Sequence, residues 1–352
     1  MRVLVSRQDD LGDVLLAGPA VRAVAARATE VVLLCGPRGR PAADLLPGVD
    51  RVIEWRAPWL GPGRVPVRRG EIDDLTRRLR GFDRALLLTS SGQSPLPLAL
   101  LLRLAGTPWI GGISEDDPGS LLDLRHRPED DVPEAPRLLA LAEDAGFPAV
   151  GGARLRVRSP LPDTGHLTGG PGYVVLHPGT SAPARAWPPE RCAEAVRLLG
   201  AAGHRVVVTG DGDEKELTAL VAGPDGLDLG GRTTLPELAS VLAGARAVVA
   251  GNTGPAHLAA AVGTPVVSLF APTVRAARWA PFGVPMALLG DQRAPCRDSH
   301  ARECPVDGHP CLSSVGADEV AAALEIVMRR EAAPTDGEVM DAVRSRDADS
   351  GR

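Results

Sequence analysis

Three short turns hold the residues best suited to chemistry: "HPGTS" from His177 to Ser181, "GDGDE" from Gly210 to Glu214, and "GNTGPAH" from Gly251 to His257. Each follows an apolar run that reads as a buried strand, so in a parallel sheet all three line one edge. The third continues into "LAAAVGTPVVSLF", which predicts a strand over 247–250, a turn over 251–255, a helix over 256–262 and a further strand over 265–270, with Gly263 as the helix stop. Where such a turn enters a helix, unpaired backbone N–H groups and the positive helix end converge on an anion. One glycine turn is ordinary chain punctuation; three along one edge point to a nucleoside diphosphate. Asn252 and Thr253 offer neutral donors there, and Gly254 lets backbone approach closely. His257 reads either as a satisfied core histidine or as a ligand-facing one.

A second cluster lies in "RQDDLGDVLL" near the N-terminus. Asp13 opens a helix after the first strand, where a carboxylate suits the positive dipole end, or it serves as a general base at the strand's carboxyl end. Asp9 or Asp10 suits the cap of that helix. The turn "GDGDEK" lacks the third glycine of a dinucleotide fingerprint. Asp211 and Asp213 have Asp-x-Asp metal spacing but equally read as solvated turn residues. In "PCRDSHARECPVDGHPC", Cys296, Cys304 and Cys311 alternate with His300 and His309; without a short Cys-x2-4-Cys pair, a free-thiol loop reads better than a structural metal site.

The elements that must position these groups alternate from the first residue: "RVLVS", a helix over 12–27, "VVLLC", "RVIEW", a polar helix over 71–80 and "ALLLT". Such alternation specifies an α/β fold with parallel sheets. The pattern weakens in "GGARLRVRSPLPDTGHLTGGPG" and resumes at "YVVLHPG", which sets two domains, 1–160 and 161–330. In the second, "PPERCAEAVRLLGAAGHRVVVTG" and "LPELASVLAGARAVVAGN" repeat a helix-then-strand plan. Residues 331–352 are polar, without apolar period, and read as a mobile tail.

With 352 residues, 44% hydrophobic content and a net charge of −5, the chain reads as a soluble globular protein with no broad basic field for nucleic acid. Lys215 is its single lysine. Charge at Arg7, Asp9, Asp10 and Asp13 argues against a signal peptide, and no apolar run reaches the length of a membrane span. A cytoplasmic protein is expected, with the run "PLPLALLL" suited to peripheral contact with a membrane or an apolar acceptor.

Together these segments resemble glycosyltransferase family 9, the ADP-heptose:lipopolysaccharide heptosyltransferases. "RQDDLGDVLLAGPAVRAV" resembles the family's Arg-x-Asp-x-(Ile/Leu)-Gly-Asp opening, "HPGTSAPARAWPPERCAEAV" its Pro-Gly-x-Ser-x-Lys-x-Trp-Pro segment, and "GNTGPAHLAAAVGTPVVSLFAPT" its Asp-(Thr/Ser)-Gly-Pro-x-His turn. The resemblance implies a GT-B architecture, two Rossmann-like domains facing each other across a cleft: an acceptor-side N-terminal domain and a C-terminal domain for the nucleotide sugar. It implies inverting transfer of a heptose or related sugar from an ADP-sugar to an acceptor hydroxyl, on lipopolysaccharide core or a secondary metabolite, with no cofactor and no metal. By position, Asp13 would be the base, and Arg185, where the family has lysine, would contact the diphosphate with Thr180 and Ser181 in support. Glu214 would lie near the ribose, and Asn252, Thr253, Gly254 and His257 around the phosphates and sugar. Ser90, Ser91, Gln93 and Ser94 are acceptor-side candidates.

Two departures stand out: Asn252 replaces the family's frequent Asp, and Ala271 stands where Gly often precedes Pro-Thr. Either points to a different sugar nucleotide. An NAD-dependent oxidoreductase is the reading from another enzyme class, but "SRQDDLGD" supplies no glycine fingerprint after the first strand. A sugar-nucleotide binding protein without catalysis is the third.

Overall fold

The computed structural model describes residues 1–60, 65–90, 92–129 and 131–330. The chain divides into two compact units: Met1–Pro162 with Ala260–Val262, and Asp163–Ala259 with the residues from Gly263 onward.

The first unit is built on six parallel strands: β1 (Arg2–Ser6), β2 (Glu30–Cys35), β3 (Arg51–Glu54), β4 (Arg84–Leu87), β5 (Trp109–Ile113) and β6 (Leu124–His126), in the order β3-β2-β1-β4-β5-β6. The second repeats the plan with β7 (Tyr173–His177), β8 (Val206–Val208), β9 (Gly226–Asp228), β10 (Ala245–Gly251), β11 (Val266–Leu269) and β12 (Met286–Leu289), ordered β12-β11-β10-β7-β8-β9. Val3 to Val5, Val31 to Leu34 and Tyr173 to Leu176 are almost wholly buried, as strands covered by helices on both faces must be. In each sheet the chain runs outward in one direction from the first strand and then returns to build the other half. The switch points fall between β1 and β4 and between β7 and β10. There the loops leaving neighbouring strands diverge and leave a crevice at the carboxyl ends, where such folds bind ligands.

The helix expected over 12–27 is two helices, Leu11–Leu16 and Gly18–Ala25. Pro19 has no N–H to continue the ladder, and Ala17 instead closes a tighter turn onto the Val14 carbonyl at 3.2 Å. Asp13 therefore sits in a one-and-a-half-turn helix capped by Asp10, third from its start and not first. The polar helix spans Arg69–Arg78. The run "PLPLALLL" forms the helix Leu96–Leu104, which spends Leu98, Ala99, Leu101 and Leu102 on the core and leaves Leu100 and Leu104 exposed. Among the described residues no helix is long and apolar enough to cross a membrane. Residues 331–352 lie outside the described residues.

Candidate active site

In the first unit, the carboxyl ends of β1 and β4 converge on one guanidinium. Arg7 follows β1 directly and is completely buried. Its Nη2 donates to Asp13 at 3.0 Å and to the Ser90 hydroxyl at 2.7 Å. Its Nη1 donates to Glu134 at 3.1 Å and to the Leu88 carbonyl at 3.3 Å, and its Nε pairs with Asp9 at 3.0 Å. Burial alone would favour a neutral guanidine, but Asp9, Glu134 and Asp13 outweigh it and hold the proton more tightly than usual.

The three carboxylates differ in access. Glu134 is 0% exposed, Asp9 14% and Asp13 22%, so Asp13 is the one best placed to meet a substrate. Burial pushes its carboxyl from 3.8 up to about 6; Arg7 opposes the shift, while Asp9 and Asp10 add to it. Arg137 lies beside Glu134 at 3.2 Å, so among these residues two guanidinium groups face three carboxylates. A carboxylate with access and a value near neutrality is what general-base work requires.

Ser90 and Gln93 use their polar atoms inside this network. Ser90 Oγ donates to Asp9 at 3.2 Å, Gln93 Nε2 donates to Asp9 at 2.5 Å, and Gln93 Oε1 accepts the Ser90 N–H. Ser91 lies outside the described residues. Ser94 and Gln93 line a small pocket with Ser6, Gln8, Trp59 and Thr89, in which the buried Gln8 amide nitrogen has no hydrogen-bond partner.

In the second unit, the three turns named from sequence leave β7, β8 and β10, which are adjacent in the sheet. Glu214 closes a short turn after β8 and accepts the Asp211 N–H at 2.9 Å. Gly179 makes room for it, since a Cβ there would lie 1.9 Å from Glu214 Oε1. His177 stands 3.9 Å from the same carboxylate and bonds Thr209 at 3.0 Å. Asp211 and Asp213 are exposed, and Asp211 accepts the Asp213 N–H, the turn-closing role; among the described residues no three His, Cys, Asp or Glu side chains converge as metal ligands.

The β10 turn passes close to Arg185, whose carbonyl would be 3.0 Å from a Cβ on Gly251. Thr253 and Gly254 are part-exposed at the entry of the helix Gly254–Val262. Asn252 and His257 are 6% and 7% exposed, yet both amide atoms of Asn252 and Nδ1 of His257 lack hydrogen-bond partners. Each unmet group of this kind costs about 1–3 kcal/mol, and their grouping at a helix N-terminus leaves bonding capacity that a polar ligand can fill. Burial pushes both His177 and His257 down to about 4; Arg185 reinforces the shift at His257, and Asp211 partly opposes it at His177. Both are neutral imidazoles at neutral pH.

Thr180 closes a local turn with Ala182 at 3.3 Å, and the Ser181 side chain is exposed. Their loop is strapped to the cysteine-bearing segment: Arg302 donates to the Ser181 carbonyl, Ala184 donates to the Arg302 carbonyl, and His309 Nε2 bonds the Ala184 carbonyl at 3.1 Å. All five cysteines are free thiols. Burial pushes the Cys311 thiol up to about 12, reinforced by Cys296 and Cys304, so at neutral pH it is protonated and unreactive. The segment acts as a brace for the Arg185 loop. His309, weighed from sequence as part of a metal or free-thiol segment, serves here as a backbone strap. Glu134, Arg137 and Arg302 carry no sequence signal; Glu134 is 127 residues from Arg7, and no spacing rule joins them.

Two Rossmann-type sheets, one with an accessible carboxylate at its switch point and the other with unmet polar groups at a helix N-terminus, have the α/β plan of the GT-B class. The sequence model of glycosyltransferase family 9 (heptosyltransferase) matches residues 73–308. Lipopolysaccharide heptosyltransferase 1 of Pseudomonas aeruginosa is 32% identical over 293 residues, covering 78% of this chain and 79% of that protein. Among solved structures, a family 9 glycosyltransferase from Veillonella parvula superposes with a TM-score of 0.74 at 17% identity, covering 94% of this chain and 97% of that one. The E. coli heptosyltransferase WaaC with ADP gives 0.64 at 21%, covering 94% and 99%. The chain belongs to glycosyltransferase family 9, and it is an enzyme, a glycosyltransferase.

Two substitutions test the Arg7 cluster. Arg7→Met leaves Glu134 buried beside one cation fewer and should cost about 3–5 kcal/mol in denaturant unfolding. The folded Asp13 value lies above the ordinary 3.8, so its ionised form works against the fold above about pH 6, and this penalty fades as both states protonate in acid. Asp13→Asn should therefore match or exceed wild-type stability at pH 8, by up to about 3 kcal/mol, with the difference gone by about pH 3. In the second unit, Gly179→Ala should expel the Glu214 carboxylate and weaken nucleotide binding by about tenfold while circular dichroism stays that of the wild type.

Proposed function

We propose that this enzyme transfers a heptose or related sugar, with inversion, from an ADP-sugar to an acceptor hydroxyl of lipopolysaccharide core or of a secondary metabolite, without a cofactor or metal. The observation that carries the reading is Asp13: the most accessible of three carboxylates around Arg7, with its value raised to about 6 by burial. In this reading Asp13 takes the acceptor hydroxyl's proton as the oxygen attacks the anomeric carbon. The bond from that carbon to the phosphate oxygen breaks, and the nucleoside diphosphate leaves with the electron pair.

The leaving group's charge falls to Arg185, to the N–H groups at the start of the helix Gly254–Val262, and to the Asn252 amide. Arginine suits this task because its planar fork engages two phosphate oxygens at once. Neutral His257 adds one donor or acceptor without a second cation. Glu214, beside Gly179, is the group for the ribose hydroxyls. On the acceptor side, Gln8, Gln93 and Ser94 offer amide and hydroxyl groups beside Trp59, a lining suited to a polyhydroxylated ring. A cytoplasmic place of action, and contact with an apolar acceptor or membrane surface through Leu100 and Leu104, belong to the same reading. The free thiols suit a reducing compartment.

One observation favours a variant: Asn252 presents an uncharged amide where the resemblance has an acid, which suits a donor other than ADP-heptose. Calorimetry with ADP, GDP, UDP and NAD separates these readings. ADP should bind most tightly; preference for GDP or UDP would reassign the donor, and preference for NAD would move the protein to another enzyme class.

Turnover tests the base. Asp13→Asn should abolish transfer by about a thousandfold while ADP affinity is kept. In the wild type the rate should rise with pH through about 6 as Asp13 loses its proton, and neither buried histidine should contribute above about pH 5. Chelation of divalent cations should leave the rate unchanged. Full turnover by the Asn variant would remove Asp13 from the chemistry.

A further inference from the structure

The geometry around Arg7 points to a further residue for the reaction: we propose that Glu134 is a positioning residue for the base, sharing the Arg7 guanidinium with Asp13 so that the buried cation fixes Asp13 in place without claiming it fully. This rests on the reading of Asp13 as the base.

Each nitrogen of Arg7 serves a different acid: Nη2 serves Asp13, Nη1 serves Glu134, and Nε serves Asp9. Glu134 comes from the helix Glu134–Asp144, has no exposure, and bridges to Arg137 Nη1 at 3.2 Å through the same Oε1 that accepts from Arg7. Arg137 is anchored in turn to the Thr89 carbonyl at 3.0 Å, at the end of β4. The charged groups around Asp13 are thus Arg7, Asp9 and Asp10 from its own segment, Arg38 on Asp10, and Glu134 with Arg137 from the helix. A guanidinium that answered Asp13 alone would hold it as a settled ion pair and a poor base. Glu134 draws part of that charge away and, being fully enclosed, cannot itself meet a substrate.

Glu134→Gln is the decisive variant, because its amide oxygen still accepts from both arginines while the charge is gone. Carboxyl carbon-13 NMR, with Asp13→Asn for assignment, should show the Asp13 midpoint fall by about one pH unit. The acid limb of the rate profile should fall with it, the plateau rate should drop, and the donor KM should stay constant. Glu134→Asp, which keeps the charge, should restore the wild-type midpoint. If the Gln variant does not fold, Arg137→Met carries the test with the opposite sign: a cation beside Glu134 is lost, Glu134 draws more heavily on Arg7, and the midpoint rises. An Asp13 midpoint that stays put in Glu134→Gln, or in Arg137→Met where the Gln variant does not fold, overturns the proposal. A midpoint that moves while the rate profile does not removes Asp13 as base, and so overturns the proposed function separately.

Discussion

The first unit depends on a buried guanidinium surrounded by more acid than it can neutralise. Arg7 is tolerable in the interior because Asp13, Glu134, the Ser90 hydroxyl and the Leu88 carbonyl accept from its terminal nitrogens and Asp9 pairs with its Nε. Burial then tips the balance from structure to reactivity at Asp13, the most accessible of the three carboxylates: loss of water raises its affinity for protons, Asp9 and Asp10 add to the shift, and Arg7 opposes it. Fold and chemistry thus draw on the same charge, and the topology makes this possible. Arg7, Leu88 and Ser90 come from neighbouring strand ends, so the switch point of the sheet lies against the cluster.

The second unit handles charge in the opposite way. Its turn at β10 collects neutral groups with unmet bonds, Asn252 and His257, at the positive end of a helix, with Arg185 nearby. Such groups are costly when unmet and favourable when a ligand with several polar atoms meets them. The brace from Arg302 and His309 onto the loop at 181–184 serves the same end. If Arg185 meets a phosphate as proposed, it gains from a backbone already held in place.

Much of this was legible in the sequence because local grammar encodes it. Apolar runs, glycine turns and helix stops identified the strands, the α/β class and the three turns on one sheet edge, since each depends on residues close together in the chain. The helix over 12–27 was misread because its apolar period continues through Pro19, whose missing N–H breaks the ladder that the period implies. Glu134 and Arg137 were illegible for another reason. They join the site only through tertiary folding, and an acid beginning a helix normally reads as dipole complement. Ser90 and Gln93 carried the right polarity for hydroxyl recognition, but only the folded structure shows those atoms engaged by Arg7 and Asp9.

Asn252 is the point where the two kinds of charge management meet. An acid at that position would stand within the same turn as His257 and favour its protonated form, giving the turn a cation and an anion of its own. The amide does neither, and His257, buried and beside Arg185, stays neutral. In the proposed reading the donor's diphosphate would meet Arg185 together with neutral dipoles of this turn. A site arranged in this way discriminates less by charge than by the pattern of donors and acceptors on the sugar, because an amide with both atoms unmet demands a partner of each kind. A hydroxyl, which both donates and accepts, satisfies that demand, so in the proposed reading Asn252, besides its NH2 facing the diphosphate, would add selectivity for the sugar's hydroxyl pattern.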